Sequence, residues 1–267
     1  MDSGLFAAVN GALRAETRLD VLANNLANAN TTGFKESDVT FDSYMTKPGP
    51  QQFPLPGDSF LGLYGPRYIP FPFSDPATNA YSVTYPRTNG TYTNVTQGAV
   101  NQTGNPLDVA LEGEGYFVLN TPDGRRYTRD GSFTINARGE LVNKDGFQVL
   151  GTSGGALVVG NSRVEIGPDG SITNATSRIG RLLRVGLPAA SLERVGGNMY
   201  QAPAGKETLL DNAKGGFLQG FVEQSNANAV RGMTQMIEVN RGFEVYMQMI
   251  KALDALDGQA TKIGGLS

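Results

Sequence analysis

Residues 5–29, LFAAVNGALRAETRLDVLANNLANA, decide the fold of this chain, because every position of an alternating three- and four-residue spacing is apolar. Such spacing places the apolar side chains on one face of an α-helix. A long helix of this kind is stable only when its apolar face is covered, so the pattern predicts a helical partner. The members of this N-terminal stripe are Leu5, Ala8, Ala12, Ala15, Leu19, Leu22, Leu26 and Ala29.

Residues 236–253, MIEVNRGFEVYMQMIKAL, repeat the pattern near the other end of the chain. We expect a first helix from about Ser3 to Asn28 and a second from an N-cap at Ser225 to about Lys262. Because both helices have heptad-like spacing, we predict that they pair as a coiled coil. The second helix would be about 57 Å long, which leaves part of its apolar face for other chains. The members of this C-terminal stripe are Met236, Val239, Phe243, Tyr246, Ile250 and Leu253.

Between the helices the sequence has the pattern of a β protein. Four Asp-Gly steps, at 123–124, 130–131, 145–146 and 169–170, separate short β-prone runs, and Asp-Gly between such runs favours β-hairpins. The fold class is therefore mainly β with long terminal α-helices around a central antiparallel β domain, either a sandwich or a barrel.

We divide the chain into four parts: an N-terminal assembly helix and exit turn (1–35), an extended arm (36–86), an antiparallel β domain (87–222) and a C-terminal assembly helix (223–267). The arm is rich in proline and aromatic residues. The stretch from Thr46 to Pro86 holds nine of the fourteen prolines, which disfavours both helix and central strand.

Composition excludes several functions. The chain has 267 residues and a formal net charge of −3, so the basic surface typical of nucleic-acid-binding proteins is absent. It contains no Cys, His or Trp, which removes thiolate nucleophiles, imidazole bases and Cys/His metal sites. The segment 151–155 matches G-x-S-x-G, but without histidine the serine lacks its usual base. We therefore predict no catalytic residues, no cofactor and no metal.

The N-terminus lacks the features of a signal peptide. Acidic Asp2 precedes only a short apolar run, and no basic residue comes before it. No stretch of 18 apolar residues is present, so we expect no membrane insertion.

Three blocks of the sequence together resemble the bacterial flagellar basal-body rod and hook protein family. The N-terminal block has ANNLAN at 23–28 and TGFK at 32–35. The central block has NPLDVALEGEGYF at 105–117, YTRDGSF at 127–133 and GELV at 139–142. The C-terminal block has QGFVEQSN at 219–226 and MIEVNRGFE at 236–244. Within that family, the sequence Arg241-Gly242-Phe243-Glu244 separates two subtypes of rod protein.

The resemblance implies a structural subunit of the periplasm-spanning rod, the drive shaft for motility. It implies export by the flagellar type III apparatus without a cleaved signal peptide. Its implied partners are other copies of itself and neighbouring rod proteins. The alternative from another class is a secreted β-sandwich adhesin or glycan-binding module with helical flanks.

For a rod subunit we expect an assembly interface on both helices and the exit turn. Because the turn closes the first helix, we expect a positive φ at its glycine. The interface residues are Leu5, Ala12, Leu19, Leu22, Asn25, Leu26, Asn28, Gly33, Phe34, Met236, Val239, Phe243, Tyr246, Ile250 and Leu253.

Overall fold

The computed structural model describes residues 2–46, 83–160, 164–174, 177–203, 205–210 and 216–264. Most of the proline- and aromatic-rich arm lies outside the described residues. The described part confirms a mainly β chain with one long helix near each terminus. Helix α1 spans Asp2–Ala27, and helix α2 spans Ala229–Gly264. Among the described helices, none combines the length and apolar character needed to cross a membrane.

Helix α2 begins later than expected. Ser225 is not its N-cap, because the Ser225 hydroxyl instead accepts a hydrogen bond from the backbone N–H of Ala227 at 3.1 Å. The carboxamide oxygen of Asn228 accepts the backbone N–H of Arg231 at 3.0 Å, so Asn228 caps the helix.

Most strands are short, and they pair antiparallel wherever their register is defined. They are β1 (Ser37–Thr46), β2 (Val83–Thr93), β3 (Val100–Gln102), β4 (Val109–Leu111), β5 (Tyr116–Thr121), β6 (Gly124–Thr128), β7 (Thr134–Ile135), β8 (Leu141–Val142), β9 (Gln148–Val149), β10 (Val164–Ile166), β11 (Ser171–Asn174), β12 (Arg178–Arg181), β13 (Arg184–Gly186), β14 (Glu193–Gly196), β15 (Met199–Gln201), β16 (Thr208–Leu209), β17 (Phe217–Gln219) and β18 (Phe221–Glu223).

Three of the four Asp-Gly steps form the expected hairpin turns. They join β5 to β6, β8 to β9, and β10 to β11, and their glycines have φ values of 108°, 86° and 74°. The fourth step, Asp130-Gly131, forms no hairpin. Gly131 packs against the carbonyl of Val109, where a Cβ would collide with backbone.

The chain divides into two units, which are described separately. Unit 1 comprises Met1–Arg14, Thr40–Gly90 and Val245–Ser267, and its described residues include the start of α1 and the end of α2. Unit 2 comprises Ala15–Val39 and Thr91–Glu244 and contains the β domain. Each helix contributes residues to both units, so these units do not follow our four parts, whose boundaries stay a prediction.

The β domain of unit 2 contains a nine-stranded sheet with the central order β14-β15-β6-β5-β9-β8-β7, and β13 pairs with both β5 and β16. A three-stranded sheet, β10-β11-β12, and the pairs β4-β17 and β3-β18 complete it. The main core joins β4, β5, β8–β11 and β17. At its centre the rings of Phe117 and Phe133 meet edge-to-face, 5.0 Å apart.

Candidate functional site

The N-terminal stripe is the buried face of α1. Ala8 is 1% exposed, and Ala12, Ala15 and Leu22 are also buried, whereas Phe6 on the other side of the helix is 58% exposed. Leu19 and Leu26 are half-buried. Leu5, at the start of the predicted stripe, is exposed.

The C-terminal stripe is the less exposed face of α2. All six of its members, from Met236 to Leu253, are half-buried. A second set of large apolar side chains on this helix is exposed: Val230, Met233, Ile237, Val245, Met247, Met249 and Leu256. Helix α2 therefore has apolar residues beyond the predicted stripe, which the periodicity of that stripe did not identify.

In unit 1 the C-terminal stripe contacts α1 at two glycines beside the N-terminal stripe. A Cβ at Gly11 would lie 2.6 Å from Cζ of Tyr246, so the tyrosine ring packs directly on the α1 backbone. A Cβ at Gly4 would lie 3.8 Å from Cδ1 of Leu253. Gly4 precedes Gly11 by seven residues on α1, whereas Leu253 follows Tyr246 by seven residues on α2. The helices are antiparallel here, and the contacts recur at heptad spacing.

In unit 2 the exit of α1 is fixed by side-chain amides. Asn25 Nδ2 donates to the carbonyl of Ser37 at 2.7 Å, and Asn25 Oδ1 accepts the Ser37 N–H at 2.9 Å. This carboxamide therefore bonds both backbone groups of Ser37, the first residue of β1, as the backbone of a neighbouring strand would. Asn28 Nδ2 donates to the Asn24 carbonyl at 2.9 Å, and Asn28 Oδ1 accepts the hydroxyl of Thr31 at 3.1 Å. The Asn25 amide thus satisfies both backbone groups of Ser37, whereas Asn28 adds a side-chain donor to the Asn24 carbonyl, which also accepts the Asn28 N–H at 3.2 Å.

Gly33 has a φ of 66°, which confirms the expected left-handed conformation. Its position has a second constraint that the sequence did not reveal. A Cβ at Gly33 would lie 2.7 Å from the carbonyl oxygen of Arg129 and closer still to the backbone N of Asp130. The exit turn therefore packs backbone to backbone on the β domain.

Phe34 is buried beside this turn, and the guanidinium carbon of Arg194 lies 4.4 Å from the centre of its ring. The neighbouring Thr32 donates its hydroxyl to Asp130 Oδ1 at 2.8 Å. The Thr32 carbonyl accepts Asn198 Nδ2 at 2.6 Å. The exit turn thus contacts the β6–β7 connection and the β14–β15 hairpin.

A buried charge cluster lies under the exit turn. Lys35 Nζ is 2.5 Å from Glu223 Oε1, and Arg129 Nη1 is 3.4 Å from Glu223 Oε2. Lys35 Nζ also donates to the carbonyl of Thr96 at 2.6 Å. Our interface prediction omitted all three charged residues, although each lies in a sequence block that carries the family resemblance. A lysine after Phe34 carries no local sign that it is buried.

Burial dominates the electrostatics of this cluster. It lowers the pKa of Lys35 below 10.5, while the hydrogen bond and charge of Glu223 oppose that shift. Burial likewise lowers the pKa of Arg129, and the charge of Glu223 again opposes it. Both cations therefore share one carboxylate as their ion-pair partner, and the charge of Glu114 also favours charged Arg129.

A groove of about 480 Å³ lies beside the exit turn. Its two carboxylates are engaged locally: Asp130 accepts Thr32 and the N–H of Ser132, and Asp145 accepts Asn143 Nδ2 at 3.1 Å. Within the described ranges, no three Asp or Glu side chains are grouped to hold a metal ion. The segment 151–155 forms a turn after β9 rather than the strand-to-helix turn that a nucleophilic serine requires.

A β domain with two long helices that retain exposed apolar faces is the architecture of an assembly subunit. Comparison with known proteins identifies which assembly. Residues 5–35 match the family described as flagella basal body rod protein. Residues 110–174 match the D1 domain of flagellar hook protein FlgE/F/G, and residues 218–263 match the C-terminal part of flagellar basal body rod FlgEFG protein.

Similar proteins span the whole chain. The flagellar basal-body rod protein FlgF of Mesorhizobium japonicum is 30% identical over 99% of both chains. FlgF of Caulobacter vibrioides is 31% identical, with 94% of this chain and 93% of the relative covered. FlgG of Bacillus subtilis is 30% identical, with 94% and 95% covered.

The chain belongs to the flagellar basal-body rod protein family, in the FlgF or FlgG branch. It is a structural subunit of the basal-body rod and assembles there with other rod proteins. Its relatives are structural proteins rather than enzymes. The alternative of a secreted adhesin finds no support in these comparisons.

Proposed function

We propose that this rod subunit polymerises through its terminal helices, with α1 and α2 of one chain paired as an antiparallel coiled coil whose outer faces contact neighbouring subunits. The pairing of Gly11 with Tyr246 and of Gly4 with Leu253, seven residues apart on each helix, supports the coiled coil. Fourteen of the fifteen predicted interface residues are at least half-buried within one chain. The inter-subunit surface therefore lies largely on the opposite sides of the two helices.

The single observation that carries this proposal is the apolar surface that the pair leaves uncovered. Eleven exposed large apolar side chains lie on the two helices, four on α1 and seven on α2. Covering the exposed part of each contributes about 1 kcal/mol, so the gross gain is on the order of 10 kcal/mol per subunit before ordering costs. Helical repetition of one heterologous contact of this kind produces a tube.

We assign the chain to the FlgF subtype rather than FlgG. The assignment rests on Arg241-Gly242-Phe243-Glu244, where an Arg-Ala-Tyr-Glu pattern marks the other subtype. In the described structure Phe243 is half-buried on the stripe, whereas Arg241 and Glu244 are exposed on α2. The two charged residues are therefore available to neighbours in the rod.

We further propose export through the flagellar type III apparatus with the N-terminus retained. Gly4 already contacts Leu253, and Ala8 is buried. The residues at the start of α1 therefore take part in the helix pair, which supports their presence in the assembled subunit. The remaining partner assignments are other copies of itself, with no nucleic acid and no membrane insertion.

A matched pair of substitutions tests the interface. Ile237 on α2 and Val158 in the β domain are both 56% exposed, so Ile237→Lys and Val158→Lys each replace a β-branched apolar side chain of the same fractional exposure. Neither change should lower the free energy of unfolding of the monomer, measured by urea denaturation, by more than about 0.5 kcal/mol.

In a strain lacking the native gene, we expect the Val158→Lys variant to support swimming. Immunogold labelling of isolated basal bodies should detect this variant in the rod. Ile237→Lys should be exported but absent from the rod. Rod incorporation of both variants at equal levels would refute the helical interface.

A further inference from the structure

The buried charge cluster assembles from three distant parts of the chain. Lys35 follows the exit turn of α1, Arg129 follows β6, and Glu223 ends β18, 188 residues after Lys35. Their side chains are 0%, 3% and 0% exposed. Within the described residues, Glu223 is the only carboxylate in ion-pair contact with either cation.

Removing this carboxylate leaves two positive charges in a site that water does not reach. An uncompensated buried charge is far more costly than a buried pair, because its desolvation has no Coulombic return. Glu223 Oε1 also accepts the backbone N–H of Gly98 at 2.9 Å. The segments that carry Lys35 and Gly98 therefore share one hydrogen-bond acceptor, and the segment that carries Arg129 is in ion-pair contact with the same carboxylate.

The backbone of the same short segment holds the ends of both helices. The Glu223 carbonyl accepts the N–H of Gly33 at 2.7 Å. Three residues later, the Asn226 N–H donates to the Phe34 carbonyl at 3.3 Å, and Asn226 Oδ1 accepts the N–H of Glu36 at 2.7 Å. Helix α2 begins at Ala229. The segment that delivers Glu223 therefore also joins the exit of α1 to the start of α2.

We propose that Glu223 is a positioning residue that makes these two attachments one cooperative event: the exit of α1 docks on the β domain only when residues 223–226 are in place. A chain whose C-terminal block has not yet folded keeps Lys35 and Arg129 without their carboxylate, so α1 stays undocked. The ends of the two helices then become fixed together, and only in a complete chain. Any effect of this docking on rod assembly rests on the proposed function, whereas the docking itself does not.

Hydrogen exchange of the full-length monomer tests the docking directly. Glu223→Gln keeps the size and most hydrogen-bonding capacity of the side chain and removes its charge. We expect exchange to accelerate by about 10- to 100-fold in peptides covering 28–37 and, to the same degree, in peptides covering 222–228. Peptides covering β5 should be unchanged. The matched control Glu165→Gln, at an exposed glutamate on β10, should change none of them.

Unchanged exchange in 28–37, or acceleration in 222–228 alone, would overturn the proposal. If Glu223→Gln unfolds the whole β domain, a second variant decides. Lys35→Met removes one of the two cations, so combining it with Glu223→Gln should cost clearly less than the sum of the single effects. Additive effects would show that the carboxylate does not act through Lys35. Rod incorporation of each variant is measured separately, so a variant that fails to enter the rod does not change the interpretation of the hydrogen-exchange result.

Discussion

Gly33→Ala provides a sharp test of how α1 is attached, because the chain contains a matched control. Gly33 and Gly160 have φ values of 66° and 67°. A Cβ at Gly160 would meet nothing within 4 Å, whereas one at Gly33 would collide with the backbone of Arg129 and Asp130. Both substitutions force alanine into the left-handed region, at about 1–2 kcal/mol. Only Gly33→Ala adds a collision between the new Cβ and the backbone of the β domain, which costs about 1–3 kcal/mol more.

Urea unfolding of the two purified variants measures this difference. With an m-value of about 2 kcal/mol/M, Gly160→Ala should lower the midpoint by about 0.5–1 M and Gly33→Ala by a further 0.5–1.5 M. If the exit turn undocks before the β domain unfolds, the extra cost should appear instead as faster exchange of the Ser37 amide, which is bonded to Asn25. Equal behaviour of the two variants in both measurements would refute the backbone contact.

Two further predictions concern the helices and acid stability. Inserting one alanine after Val239 rotates the rest of α2 by about 100° and should abolish rod incorporation. The same insertion after the exposed Ser153 should be tolerated. The amount of each variant in purified basal bodies measures this difference. Hydrogen bonds from Ser171 hold the pKa of Asp169 below 3.8, so its stabilising contribution is present above that pH and is lost as pH falls through the lowered pKa. Asp169→Asn should therefore weaken the loss of urea stability on acidification, and identical pH profiles would contradict this.

The helices and their buried faces were predictable because their signal is local. Periodicity alone identified the face that contains Ala8, Ala12 and Leu22, and the turn chemistry identified the left-handed Gly33. The N-cap of α2 was not predictable in the same way. Ser225 has the local chemistry of an N-cap. However, Asn226 hydrogen-bonds to the backbone of Phe34 and Glu36, so the helix begins only at Ala229.

The charge cluster was beyond local sequence reasoning. Lysine and glutamate are usually exposed, and nothing adjacent to Lys35 or Glu223 indicates that the chain returns to the same point 188 residues later. The fourth Asp-Gly step shows the same limit. Asp130-Gly131 has the composition of a hairpin turn, but it serves as the surface on which the exit turn packs.

Glu223 lies beside Gly33, because its carbonyl accepts the Gly33 N–H at 2.7 Å. Within unit 2 the end of β18, shortly before α2, therefore meets the exit turn of α1. Lys35, Arg129 and Glu223 each fall in a different one of the three segments that match the rod family, 5–35, 110–174 and 218–263. Residues 36–109, which match none of them, contain the β1–β2 ribbon and the arm. Each of the three matched segments therefore contributes one charged residue to this cluster, and residues 96–98, which lie outside those segments, add the Thr96 carbonyl and the Gly98 N–H.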